Sequence, residues 1–269
     1  MSNENFELNN YPNLIAIPYK KTLNEKDPQR KDHQRVCLEM MLSFNASVCL
    51  ANYYHYKTAE EGKDAKISQA LPDLPSDPKL HFDLGMMSIG KWNQITRDTA
   101  SVLFDATSKG KDNDFLVADI GSMYRNKGSV WNKNVNTLIS LRNQDAHGQI
   151  ISDEALEGEL KNRQKMLDQL MKEMSFYAAY KLIVPINDEV KESVLVHICK
   201  DLSGSGDAVI ELSDETLKTE IDRYGTYLYN TKKKTCLALN PMVVNYNSSS
   251  ETEELDSYVY SKTANNKKD

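Results

Sequence analysis

One change of rhythm constrains this chain more than anything else in it. Up to about Tyr180, apolar residues recur at intervals of three and four; beyond it they come in short β-branched and aromatic runs. The first spacing is that of amphipathic helices and the second that of strands. The runs are "YKLIVPI", "ESVLVHICK", "DAVIELS", "GTYLYN", "TCLALN", "MVVNY" and "DSYVYSK", with Gly, Asn, Asp and Ser between them. The order of the two blocks predicts an α+β fold: an N-terminal antiparallel helical bundle, then a small antiparallel β module. We place the bundle at 1–180, the β module at 181–262 and a frayed, disordered tail at 263–269.

Within the first block the periodicity predicts helices from about His33 to Tyr56, Met87 to Thr107, Phe115 to Arg125 and Val130 to Ala146. A last long helix is expected to start at Ser152, a good N-cap followed by acids, and to run toward Tyr180. Its stripe is Leu156, Leu160, Met166 or Leu167, Leu170 and Met174. "PNLIAIPY", with a proline near each end, reads as an extended lead-in. The stretch from Lys57 to Lys79 carries three prolines and little periodicity, and reads as a surface connection.

The stretch "LRNQDAHGQI", Leu141 to Ile150, is where chemistry enters. Basic residue, histidine and glycine in that order suit an ordinary helix end, where they meet orphan carbonyls and the negative end of the dipole. A second reading stands beside it. Asn143 and His147 are one helical turn apart, and the long stem of Arg142 reaches the same face. An imidazole, an amide and a fixed positive fork are what cleavage of RNA without a metal requires. Histidine moves protons near neutrality, and arginine grips non-bridging phosphate oxygens.

These residues resemble the signature of the HEPN superfamily (higher eukaryotes and prokaryotes nucleotide-binding): Arg, four to six residues, then His, with a polar residue often following the Arg. Arg142, Asn143 and His147 match it with the four-residue spacing, and "NLIAIPY", "SIGKWNQI" and "FYAAYKLIVP" resemble the surroundings in bacterial members. The likeness covers roughly residues 12 to 185. It implies a homodimer in which two motifs meet across a cleft. It further implies a metal-independent endoribonuclease of a toxin or antiviral defence system, leaving 2′,3′-cyclic phosphate and 5′-hydroxyl ends. Arg142, Asn143 and His147 would then be catalytic, with no cofactor and no metal, and with RNA as substrate beside a regulatory or antitoxin partner protein. Other members of the superfamily bind nucleotides or dock partners without catalysis, and that alternative carries over too.

The remaining features point to structure. The formal net charge of -6 excludes a broadly basic nucleic-acid coat, so any RNA contact must be local. Four separated cysteines, Cys37, Cys49, Cys199 and Cys236, form no zinc spacing and read as core thiols in a reducing cytosol. A polar, acidic start and the short apolar runs argue against a signal peptide or a span, and predict a cytoplasmic protein with no membrane partner. His33, His55, His81 and His197 are scattered, with no acid or cysteine at a ligand spacing. "LSGSGD" lacks the lysine of a P-loop and reads as a hairpin turn, and Ser203 and Ser205 lack triad partners. Arg163, Lys165 and Lys172 read as a solvated helix face, as does the "TKKK" turn; Trp92 and Trp131 read as core anchors. Tyrosines along the strands read as core on one side and surface on the other.

Overall fold

The computed structural model of the chain describes residues 7–24, 26–59, 62–71, 87–107, 117–146, 153–204, 208–223, 225–247 and 255–259. Among these residues the helices come first: α1 Asn13–Thr22, α2 Arg30–Lys57, α3 Gly62–Ala70, α4 Ile89–Ala106, α5 Val117–Arg125, α6 Val130–Ala146 and α7 Asp153–Glu173. Then come the strands β1 Tyr180–Lys191, β2 Val194–Asp201, β3 Ala208–Ser213, β4 Tyr227–Asn230, β5 Thr235–Ala238, β6 Val243–Asn247 and β7 Leu255–Val259. The fold is mixed α+β, and the switch from helix to strand falls at Tyr180, where the apolar period changes.

Helix α2 organises the helical part. From Met41 to Tyr53 every side chain is buried, which is the mark of a central helix enclosed by others. It packs against α1, α3, α4, α7 and β5. Several polar groups in that stretch have partners, as burial favours, although Asn45 Nδ2 has none among the described residues. Ser47 Oγ donates to the Ser43 carbonyl at 2.8 Å, and Asn52 Nδ2 to the Val48 carbonyl at 2.9 Å. The Tyr177 hydroxyl donates to Asn45 Oδ1 at 2.7 Å. Among the described residues α2 is also the one helix long and apolar enough to cross a membrane, yet most of that stretch lies inside the protein. On α4, Ser88 caps the first turn by accepting from the Lys91 amide at 3.3 Å, and Ile89, Trp92, Ile95, Thr99 and Leu103 face inward as their spacing predicts. Trp92 and Trp131 are both core residues.

Three expectations about the helical part need correcting. Residues 12–19 are not extended but form most of α1. Pro12 stands at the N-cap, where a missing N–H costs nothing, and Pro18 is accommodated inside the helix. The supposed connection after Lys57 contains α3, with Ile67 and Leu71 buried; its three prolines all follow Leu71. Helix α7 stops at Glu173, and a 3-10 turn at Ser175–Ala179 leads into β1. The Ser152 cap lies outside the described residues.

Strands β1 to β5 form one antiparallel sheet in the order β3-β2-β1-β4-β5, with β6 and β7 as a separate pair. Pro185 lacks a ladder donor, and it lies beyond the four residues of β1 that pair with β4. A bulge follows between Pro185 and Asn187. Alternation along the strands sends Leu182, Val184, Leu228 and Leu237 into the same buried cluster as the helices. The opposite face carries Ile183, Cys199, Leu212, Tyr227, Tyr229 and Cys236, covered partly by Leu217 and Ile221. Tyr227 and Tyr229 are therefore buried, where one exposed face was expected for the tyrosines. All four cysteines are buried and free. The loop after β2 ties back to the start of α1: the Asn13 amide donates to the Leu202 carbonyl and the Gly204 amide to the Tyr11 carbonyl, both at 2.8 Å. Gly204 adopts φ +61, and a Cβ there would lie 2.7 Å from Asn9 Cα, so only glycine fits. Residues 205–207, and with them Ser205, lie outside the described residues.

Candidate active site

The inward stripe of α6 runs Trp131, Val135 and Leu138, all buried. Steps of four and three along a helix stay on one face, so the same stripe next meets Arg142 and Asp145. Apolar packing thus gives way to charge in the last turn of α6. Arg142 is half-buried and Asn143 exposed, and Arg142 Nη1 donates to Asn143 Oδ1 at 3.2 Å. Two of the three expected site residues are therefore side by side at the end of α6. The third, His147, lies outside the described residues.

Asp145 is held from two sides. Arg163 on α7 donates to it bidentately, Nη1 to Oδ2 at 2.8 Å and Nη2 to Oδ1 at 3.0 Å. Lys31, in the first turn of α2, places its Nζ 2.6 Å from Oδ1. Arg163 also donates to Glu159, one turn back on α7. Partial burial pushes the Asp145 carboxyl up, but the hydrogen bonds and charges of Arg163 and Lys31 outweigh it and hold the group below its ordinary range. Burial likewise opposes the charge on Arg163, and the Asp145 and Glu159 carboxylates more than restore it. Beside this group Arg30, also buried, lies 3.8 Å from Glu157.

Arg163 is only 3 % exposed and belongs to no solvated basic face. Its position was legible. Leu160, Leu167, Leu170 and Met171 are the buried apolar residues of α7, and 163 is the inward slot between the first two. A cation in such a slot demands a buried counter-charge, and the acid in the motif supplies it.

A second cluster lies on the sheet. The His197 ring is 5 % exposed, with Nδ1 2.7 Å from Asp188 Oδ1 and Nε2 2.7 Å from Asp214 Oδ1. Asp188 pairs with His197 across β1 and β2, and Asp214 follows the end of β3, so register joins what sequence separation hides. Both ring nitrogens face carboxylates, an arrangement that favours the protonated ring, in which both nitrogens donate. Burial pushes its pKa down, and the two aspartates together push it above the ordinary 6.5. Among the described residues no group of three or more His, Cys, Asp or Glu is arranged to hold a metal. His81 lies outside the described residues.

In comparisons with known proteins, no family model, no curated protein and no solved structure matches this chain.

Proposed function

We propose that the chain is a metal-independent endoribonuclease of the HEPN type, acting as a toxin or defence effector, with Arg142, Asn143 and His147 at its active site. The observation that carries this reading is the end of α6. An arginine and an asparagine lie side by side there, the arginine bonded at 3.2 Å to a neutral amide, with the motif histidine one residue beyond Ala146 in the chain. A guanidinium so placed offers its remaining donors to a phosphodiester.

The chemistry balances as follows. His147 takes the proton of a ribose 2′-hydroxyl, and the oxygen attacks the adjacent phosphorus. Arg142 neutralises the charge that builds on the non-bridging oxygens. The bond from phosphorus to the 5′-oxygen breaks, and that oxygen takes a proton from the His147 of a second copy of the chain. A 2′,3′-cyclic phosphate and a 5′-hydroxyl result. Asn143 orients Arg142 through the bond between them. Two copies are needed because one imidazole does not reach both the attacking and the leaving oxygen, so the site is a homodimer interface.

Purified protein incubated with total RNA in EDTA tests this. The wild type is expected to cut, and Arg142→Ala and His147→Ala each to lose at least about a hundredfold in rate with fold and dimer unchanged. Equal cleavage by all three proteins refutes the assignment.

A further inference from the structure

Asp145 poses a problem for any phosphate-binding role of Arg142. The two stand at i and i+3 on one helical face, close enough to pair in any exposed helix. A bare carboxylate there would capture the guanidinium and repel an incoming phosphate. Yet among the described residues the partner that Arg142 takes is the neutral Asn143. Asp145 is occupied elsewhere, accepting three charged donors from two other helices: both terminal nitrogens of Arg163 and the ammonium of Lys31.

We propose that Arg163 and Lys31 are positioning residues that sequester Asp145, so that Arg142 presents its charge to a phosphodiester instead of to the carboxylate beside it. The proposal rests on the reading of Arg142 as a phosphate-binding residue. Arg163 is suited to the task because it is nearly fully buried and fixed at three points, two on Asp145 and one on Glu159. Its planar fork satisfies both carboxylate oxygens at once, which lysine does not do. Lys31 completes the neutralisation from the opposite side. The arrangement also pins the last turn of α6 to α7 and α2, two residues before His147 in the chain. A charge pair thus stands where packed apolar residues are often as stable, which favours an electrostatic use for it.

The test separates this role from ordinary support of the fold. Arg163→Met keeps the bulk of the side chain and removes its charge, leaving Asp145 open to Arg142. Cleavage of RNA should fall roughly tenfold in kcat/KM, mostly through KM, because what is lost is phosphate binding. The double variant Arg163→Met, Asp145→Asn removes the freed carboxylate as well and should return to within about twofold of wild type. A structural role predicts recovery only in step with restored folding, so cleavage is compared per folded protein, with the melting temperature of each variant measured beside it. The ¹⁵N resonance of Arg142 Nε gives a readout that needs no cleavage: it should shift in Arg163→Met and return in the double variant. The double variant also holds the test if Arg163→Met does not fold, since it leaves no unpaired carboxylate at position 145. Wild type that cuts no RNA would sink the nuclease reading, and the Arg142 resonance would still decide this one. An unmoved resonance in Arg163→Met, or a double variant as defective as the single, overturns the proposal.

Discussion

At the scale of single residues, Arg163 and His197 are two buried basic side chains that carboxylates from other elements help to hold. His197 is the one with a plain pH consequence. Its Nδ1 faces Asp188 and its Nε2 faces Asp214, and its folded pKa is raised. Below about 6.5 both folded and unfolded chains hold the proton, and the full stabilisation is present. As pH rises through the folded value the proton leaves, one hydrogen bond loses its donor, and two aspartates face a neutral ring. Urea unfolding should therefore show stability falling by about 1–2 kcal/mol on the alkaline side, a modest figure because the aspartates are partly solvated. His197→Gln should be weaker at low pH and should lose that slope. The same slope in the variant would contradict the assignment. Of the proposed site, Arg142, Asn143 and His147 were picked out as a pattern of types and spacing, and the structure describes the first two. What Asp145 does was not, because its partners lie 18 residues ahead on α7 and over a hundred residues back on α2. Sequence separation carries no distance, and the gap in the α7 stripe at Arg163 was the only trace.

At the scale of elements, the strands were the most legible part: all seven runs became strands, since alternation and turn residues act locally. Two of the three errors in the helical part lie where proline was read as a breaker. Pro12 and Pro18 suggested extended chain, but a start position tolerates proline, and the burial of Leu14, Ile15, Ala16 and Tyr19 stabilises α1 despite Pro18. Tyr19 is further fixed by its hydroxyl, which donates to Asp168 on α7 at 2.8 Å. The β1–β2 hairpin shows a conflict that composition hides. Its two-residue turn places Glu192 at φ 52 and Ser193 at φ 69, both in the left-handed region, and neither is glycine. That is the backbone of a type I′ turn, which favours asparagine followed by glycine. The double substitution Glu192→Asn, Ser193→Gly should raise stability by about 1 kcal/mol, seen as a higher Tm. A fall in Tm would show that the glutamate or serine side chain contributes more than the strain removes.

For the whole molecule, a single buried cluster joins residues of all seven helices to Leu182, Val184, Leu228, Leu237 and Val243 of the strands. The sheet therefore closes the helical core on one face, while its other face has a smaller cluster of its own. The period change at Tyr180 marks where secondary structure switches and says nothing of this shared packing, because periodicity reports which face is apolar and not what covers it. At the far end of α6 from Trp131 the packing turns ionic, and there the charges balance: Lys31 and Arg163 against Asp145 and Glu159. With a net charge of -6 the protein carries no excess of positive charge, so the proposed RNA binding would have to come from a few placed cations. The most direct measurement is of the ends left on RNA by the purified protein in EDTA. The account predicts 2′,3′-cyclic phosphates and 5′-hydroxyls, absent when His147→Ala replaces the wild type. Ends bearing a 5′-phosphate, or the same fragments from the variant, would contradict it.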